Sequence, residues 1–406
     1  MATTQEQNER LTRVGPGTAM GDLLRRYWQV VGTATELEQE PVQRVRLLGE
    51  DLTLFRTERG EYGLVDEVCP HRCMSLEYGI PQEAGLRCAY HGWLWAPDGH
   101  CLEQPFEETV NPEARFKDKV RIKAYPAQEL GGLIFTYMGP RPAPLLPRWD
   151  VLVRDDLDAA IEIHPLPCSW LQCMDNSMDP VHFEHLHAVF GNYQRKKLGM
   201  PPAMFPAKHI KIGFDRFEYG IMKRRLLEGE PEDIDDWQIG HPVLFPNTLA
   251  VGEEDRPMLQ IRIPVDDTTT LHLQYVTTPR EMGAPRKPVP VVRRSLFEPD
   301  GKILAVNIPK QDELAWVAQG PISQRTREHL GASDVGVILY HKMLHEEMDK
   351  VQGGQDPLGT VRDPAVNEPM IRIRRERVGY EAFKGDFEEE WNDIEGARSL
   401  FAAAKA

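Results

Sequence analysis

Two short boxes, Cys69-Pro-His71 and Cys88-Ala-Tyr-His91, constrain this chain more than any other part of it. Each offers one thiolate and one imidazole. Sixteen residues separate His71 from Cys88, a hairpin's length, so two adjacent loops can converge on one metal centre. Two thiolates with two imidazoles fit a [2Fe–2S] cluster in which cysteines hold one iron and histidines the other. Replacing thiolates by neutral imidazoles lowers the negative charge on the cluster, raises its potential and lets an electron travel with a proton. A zinc finger uses Cys2His2 in the order Cys-Cys then His-His with a helix between, and the alternating order here argues against it.

Composition agrees with metal chemistry and excludes several other functions. Six cysteines among 406 residues are too few for a disulfide framework, while thirteen histidines leave ample ligands. With 41% hydrophobic residues the chain can bury two or three ordinary cores. A net charge of −15 argues against a nucleic-acid footprint. No run of eighteen apolar residues occurs, and the start, MATTQEQNERLTR, is too polar for a signal peptide, so a membrane-free, cytoplasmic protein is expected. Gly15-Pro16-Gly17 with Gly21 imitates a nucleotide loop, but its spacing is wrong and no strand precedes it.

The pattern predicts an α+β fold in three parts. Residues 1–41 read as a helical segment, with apolar positions Met20, Leu23, Leu24 and Tyr27 after the Gly-Pro-Gly turn. Residues 42–147 alternate in short segments such as Leu52-Thr-Leu-Phe55, broken by Gly, Pro and Asp, which predicts a small antiparallel β domain holding the Cys-His boxes. It ends in a proline-rich linker, 139–147. Residues 148–406 read as a larger domain with an antiparallel sheet flanked by helices. Helices are expected over 170–190, 311–319 and 334–351, and strands over 258–264 and 270–276. Nothing is assigned after Arg375. Cys73, Cys101, Cys168 and Cys173 are expected as free thiols, the last three packed as small apolar groups.

A second cluster lies in 175–187, Asp-Asn-Ser-Met-Asp179-Pro-Val-His182-Phe-Glu-His185-Leu-His187, with three histidines and three carboxylates. Non-haem ferrous iron that meets dioxygen takes two imidazoles and one carboxylate on one face and leaves the opposite positions open. On a regular helix His182 and His185 share a face, whereas His182 and His187 stand about 140° apart. Spacing therefore favours His185, unless a π-type distortion occurs.

The boxes Cys-x-His and Cys-x-x-His, the latter followed by Gly92-Trp93, resemble the Rieske iron–sulfur domain, of the oxygenase and ferredoxin type because Cys73 has no partner in the second box. Asp179-x-x-His182-x-x-x-x-His187 resembles the signature of the Rieske non-haem iron ring-hydroxylating oxygenases. The opening Arg13-Val-Gly-Pro-Gly-Thr-Ala-Met-Gly21, Trp170-Leu-Gln and the Gln311-Asp312 segment resemble the terminal oxygenase (alpha) subunits of the phthalate and phenoxybenzoate dioxygenase-like group.

The resemblance implies Cys69, His71, Cys88 and His91 as cluster ligands. It implies His182 and His187 as ligands of a mononuclear Fe(II), with a carboxylate from a later helix, taken as Asp312 with Glu313 and Asp334 as rivals. Asp179 is implied as the bridge that links His182 to a cluster histidine, His91 before His71, of the neighbouring subunit, in a homotrimer or a hexamer of stacked trimers. It implies electrons from NAD(P)H through a separate reductase, with or without a ferredoxin, since the chain carries no nicotinamide or flavin fingerprint. The implied reaction is O2-dependent dioxygenation of an aromatic carboxylate, with O- or N-demethylation as the alternative; a Rieske electron carrier is the alternative of another class. Residues 190–207 are expected to wall an aromatic pocket, and Arg195, Lys196 and Lys197 to form a solvated loop, a docking surface or an attraction for a carboxylate.

Overall fold

A computed structural model of the chain describes residues 3–375 except 203–207, 282, 284 and 286; the tail after Arg375 lies outside the described residues. Two helices open it, α1 (Gln5–Thr12) and α2 (Ala19–Leu24), capped by the side chains of Thr4 and Thr18. The strand β1 (Trp28–Thr33) follows, within the stretch expected to be helical, and then α3 (Ala34–Gln39). Strand β1 exists because it pairs antiparallel with a partner about a hundred residues on, a contact that local periodicity does not reveal.

The Cys-His boxes sit in an all-antiparallel region. Val42–Leu47 (β2), Glu50–Arg56 (β3) and Tyr62–Asp66 (β4) lead into a small sheet of Ile80–Gln82 (β5), Gly85–Arg87 (β6), Leu94–Trp95 (β7) and Cys101–Glu103 (β8). Ala124–Tyr125 (β9) returns to β4, while Ala127–Leu130 (β10) and Leu133–Tyr137 (β11) join β1. The loops β4–β5 and β6–β7 carry the two boxes. Beneath them Phe55, Val65, Leu76, Leu86, Trp95 and Ile122 form an apolar cluster that also encloses Cys69 and Cys88. The proline-rich stretch bends over residues 139–142 and is fastened further on: Trp28 Nε1 donates to Pro144 O at 3.1 Å and Leu145 N to Val361 O at 2.8 Å.

The second half is built on an eight-stranded sheet. Its strands are Leu157–Leu166 (β12), His209–Phe217 (β13), Gly220–Leu227 (β14), His241–Leu244 (β15), Thr248–Val251 (β16), Met258–Asp266 (β17), Thr269–Pro279 (β18) and Val291–Arg293 (β19), in the order β13-β14-β15-β16-β17-β18-β12-β19. All pairs are antiparallel except β12 with β19. Its longer helices are α4 (Trp170–Ser177), a π-helix (Phe183–Phe190), α5 (Gly191–Lys197), α6 (Ile308–Val317) and α7 (Val335–Gln352). No helix among the described residues is long and apolar enough to cross a membrane.

Strands β12, β17 and β18 are buried on both faces, and the two-residue alternation sorts their chemistry. Ile161, Ile163, Leu259, Ile261, Ile263, Leu273 and Tyr275 point into the main apolar core. The alternate residues Glu162, His164, Gln260, Arg262, His272 and Gln274 are polar and buried. Register aligns Arg262 with His272 and His272 with His164, so a polar row crosses three strands. This row faces α6.

The expected helix 170–190 is interrupted. α4 stops at Ser177, because Pro180 lacks an N–H and its ring disfavours helical geometry in the residue before it. From α4, Asp175 reaches Arg325 (2.5 Å) and His341 of α7 (2.7 Å). Burial opposes its ionisation, but the Arg325 and His341 charges outweigh burial and hold the carboxyl down to about 2. A depressed carboxyl stabilises the fold fully above its unfolded value and loses that contribution as pH falls toward 2; the shift is worth about 2 kcal/mol. Asp175→Asn is therefore expected to lower the thermal midpoint at pH 7, and its deficit against wild type to shrink below pH ~4, as followed by circular dichroism melts at a series of pH values.

Candidate metal centres

The two box loops are built alike. In the first, Cys69 N donates to Met74 O (2.8 Å) and Cys73 N to Cys69 O (2.9 Å), with Cys73 at φ 55°. In the second, Cys88 N donates to Trp93 O (2.8 Å) and Gly92 N to Cys88 O (3.0 Å), with Gly92 at φ 76°, a left-handed turn that glycine adopts without strain. Each loop folds its cysteine inward and leaves its histidine outside: Cys69 and Cys88 are buried, His71 is half-buried and His91 exposed. The rings of His71 and His91 lie 4.4 Å apart between centroids, and Trp93 stacks on His71 at 4.4 Å.

The donor chemistry fits a cluster. Cys69 and Cys88 perturb one another: their pairing holds the Cys69 thiol above its usual range and the Cys88 thiol below it, as expected of two sulfurs that can share one cationic centre. His71 Nδ1 is buried without a hydrogen-bond partner, an orphan that coordination would satisfy. Burial and the nearby His91 and Arg72 charges keep His71 below its ordinary value, in the neutral form a metal needs. Cys73 is free and exposed; Cys101, Cys168 and Cys173 are free and buried.

The second centre forms where the π-helix meets α6. A π-helix closes i→i+5 hydrogen bonds, and the segment Phe183–Phe190 adopts it directly after His182. His187 thereby comes round to the face that carries His182, with ring centroids 5.0 Å apart, while His185 turns to solvent. Asp312 projects from α6 between them: its Oδ1 lies 3.5 Å from His182 Nε2 and 3.3 Å from His187 Nε2. One donor atom from each of the three falls within 4.8 Å of the others. His187 Nε2, aimed at this point, is buried without a hydrogen-bond partner, so the donor set fits a 2-His-1-carboxylate metal. Burial opposes the charge on Asp312, but the two imidazoles outweigh it and hold the carboxyl far below the usual range. Burial likewise opposes protonation of His182, yet Asp179 and Asp312 raise it to about 9. The site thus attracts a cation.

The far sides of both rings are supported. His187 Nδ1 donates to Gln311 Oε1 at 2.8 Å, which directs Nε2 toward Asp312. Gly191 makes room for this amide, since a Cβ there would lie 2.5 Å from Gln311 Nε2. Asn176 Nδ2 donates to Asp312 Oδ1 at 3.2 Å. Asp179 divides its oxygens: Oδ1 accepts from Val181 N (2.7 Å) and starts the following turn, and Oδ2 stands 3.6 Å from His182 Nδ1. Gln311, Asn176 and Gly191 escaped the sequence reading, because each acts through a partner that only folding supplies.

The rivals lie elsewhere. Asp334 heads α7, where its Oδ2 accepts from Gly331 N (2.6 Å). Glu313 faces the sheet and accepts from Nδ1 of His164 (2.6 Å) and of His272 (2.7 Å). His164 Nε2 is 3.0 Å from Glu162; burial opposes its charge, but the two glutamates outweigh burial and raise it to about 9. The basic run is not uniformly solvated. It is helical, and Arg195 is buried with its Nε on Pro201 O (2.6 Å), whereas Lys196 and Lys197 are exposed. Of 190–207, the stretch expected to wall a pocket, residues 203–207 lie outside the described residues.

Comparison with known proteins agrees with this geometry. Residues 27–126 match the Rieske [2Fe-2S] domain, and residues 299–378 match the family described as LigXa C-terminal domain like. The chain is 42% identical to the 5,5'-dehydrodivanillate O-demethylase oxygenase subunit of Sphingobium sp., over 92% of this chain and 87% of that protein. It is 33% identical to the phenoxybenzoate dioxygenase subunit alpha of Ectopseudomonas oleovorans, over 90% of each. Among solved structures, Pseudomonas putida CBB5 NdmA with caffeine shares the fold at a TM-score of 0.61 and 21% identity, covering 88% of this chain and 98% of that one. Metal analysis is expected to give about three irons per chain, two accompanied by inorganic sulfide. His182→Ala should lose only the iron without sulfide, and Cys88→Ser the pair.

Proposed function

The chain belongs to the Rieske non-haem iron oxygenases, as a terminal oxygenase subunit, and from that premise we propose that it O-demethylates a methoxylated aromatic substrate with O2 and electrons from a separate NAD(P)H reductase. The observation that carries the choice of reaction is the likeness to the dehydrodivanillate O-demethylase, which spans nearly the whole of both chains. It exchanges the order in which the sequence alone ranked demethylation and dioxygenation. Ring dioxygenation of an aromatic carboxylate is the second reading, supported by the likeness to the phenoxybenzoate enzyme. A carrier function falls away, since the near full-length relatives are named oxygenases. A reductase partner is supported by those names too, which describe one subunit or component of a larger system.

In this reading Cys69, Cys88, His71 and His91 hold the [2Fe–2S] cluster, and His182, His187 and Asp312 hold one Fe(II). The iron supplies O2 binding and activation, and the cluster supplies electrons. The residues of the chain then do the following. His182 and His187 would offer their Nε2 atoms, and Asp312 a carboxylate oxygen, to the metal. Gln311 fixes the tautomer of His187. Asn176 holds Asp312 by one oxygen. Lys223 and Arg262, buried on the sheet beside the site, feel the Asp312 charge, and their own charges are met by Ser177 O and by the Gln260 oxygens.

Asp179 would carry electrons between subunits of a homotrimer. Its side chain keeps about a quarter of its surface exposed, beside His182, and the cluster loops expose His91. A carboxylate between the two imidazoles would orient both rings and join them by hydrogen bonds.

The net reaction consumes ArOCH3, O2, two electrons and two protons and yields ArOH, formaldehyde and water. Assay of methoxylated and unmethoxylated aromatic acids with a generic reductase, NADH and labelled O2 tests it. The expected result is formaldehyde with a phenol that carries no label, because the phenolic oxygen is the original ether oxygen. Two labelled atoms in the ring, without formaldehyde, would establish dioxygenation instead.

A further inference from the structure

Helix α6 presents Gln311, Asp312 and Glu313 in succession, and successive helical side chains diverge by about 100°. Gln311 and Asp312 serve the iron site. Glu313 turns to the sheet, is fully buried, and accepts on one oxygen from two imidazoles, His164 Nδ1 at 2.6 Å and His272 Nδ1 at 2.7 Å. Those histidines stand directly opposite each other on β12 and β18, so they clamp the carboxylate from two adjacent strands. The clamp is itself fixed from behind: His164 Nε2 contacts Glu162 Oε1 at 3.0 Å, and Arg294 Nε contacts the same oxygen at 2.9 Å.

Glu313 ties this helix to the sheet, while Gln311 and Asp312 tie it to His187 and Asn176. Its buried residues are Pro309, Gln311, Glu313 and Trp316, so half of the packed face is polar. Apolar packing tolerates small slides and rotations, whereas two short hydrogen bonds to one oxygen do not. Resting on the reading of Asp312 as an iron ligand, we propose that Glu313, held by His164 and His272, is a positioning residue that sets the angle at which Asp312 meets the mononuclear metal. The clamp acts through the helix backbone and touches neither iron nor substrate. A displacement of about 1 Å at a metal ligand is enough to weaken binding severely.

The test uses the full-length protein with its Rieske cluster intact and its mononuclear metal stripped, titrated with Fe(II) or Co(II). Glu313→Leu removes the acceptor and should weaken metal binding roughly 10- to 100-fold and alter the visible spectrum of bound Co(II), while the cluster spectrum stays unchanged. Glu313→Gln retains an acceptor oxygen and should restore affinity to within about threefold. Leu23→Ala, a buried truncation in α2, should lower the melting temperature and leave metal affinity alone. Should Glu313→Leu fail to fold, His272→Phe, which removes one donor, is read the same way. Wild-type affinity and Co(II) spectrum in Glu313→Leu overturn the proposal. So does a metal ion beyond the cluster and the mononuclear site that Glu313→Leu removes and Asp312→Ala keeps, since the trio would then be a metal site itself. Asp312→Ala tests the underlying reading separately: if it binds Fe(II) as wild type does, that reading fails first.

Discussion

Two imidazoles five residues apart must reach one point, and the catalytic half of the molecule is arranged around meeting that demand. A regular α-helix would send His182 and His187 to different faces. Pro180 ends α4, Asp179 starts a new turn through its bond to Val181 N, and the π-helix that follows brings His187 round beside His182. The distortion costs hydrogen-bond quality, which is why π-turns concentrate where a site needs them. Gly191, just past it, has no Cβ to obstruct Gln311. One irregular turn thereby brings two candidate ligands together and sets His187 beside Gln311 of α6.

The sheet solves the complementary problem of holding polar groups in a dry interior. Alternation lets the middles of β12, β17 and β18 turn leucine, isoleucine and tyrosine to one face and a row of charged and amide side chains to the other. Buried polar groups are tolerable only when bonded. Here Glu162, His164, Glu313 and His272 bond one another, and Arg262 is answered by Gln260 and lies over Trp316. The result is a rigid floor beneath the carboxylate that faces the metal.

What the sequence disclosed follows from locality. Cys69, His71, Cys88 and His91 stand in two tight loops whose spacing carries the chemistry, so their convergence was legible from the boxes alone. His182 and His187 were legible only with the resemblance, since regular spacing pointed to His185; the π-turn is the missing physical step. Strand β1 hid inside a segment expected to be helical because its pairing partner β11 lies far along the chain. Gln311, Asn176 and the Glu313 clamp were illegible for the same reason: their partners lie more than a hundred residues away, except those of His272. One local signal did exist. Polar residues at 162 and 164, 260 and 262, and 272 and 274 interrupt otherwise apolar strands at a period of two, the pattern of a sheet that faces a site rather than a core.

The two centres have meaning only together, and Asp179 is where the account joins them. Its carboxylate caps a turn with one oxygen and faces His182 with the other. The most direct measurement is a single-turnover experiment on Asp179→Asn: the fully loaded protein with its cluster chemically reduced, mixed with O2 and substrate, and followed by cluster absorbance and rapid-freeze electron paramagnetic resonance. Both metals should be bound in full, and the reduced cluster should persist for orders of magnitude longer than in wild type. Reoxidation of the cluster at the wild-type rate, with product formed, would contradict it.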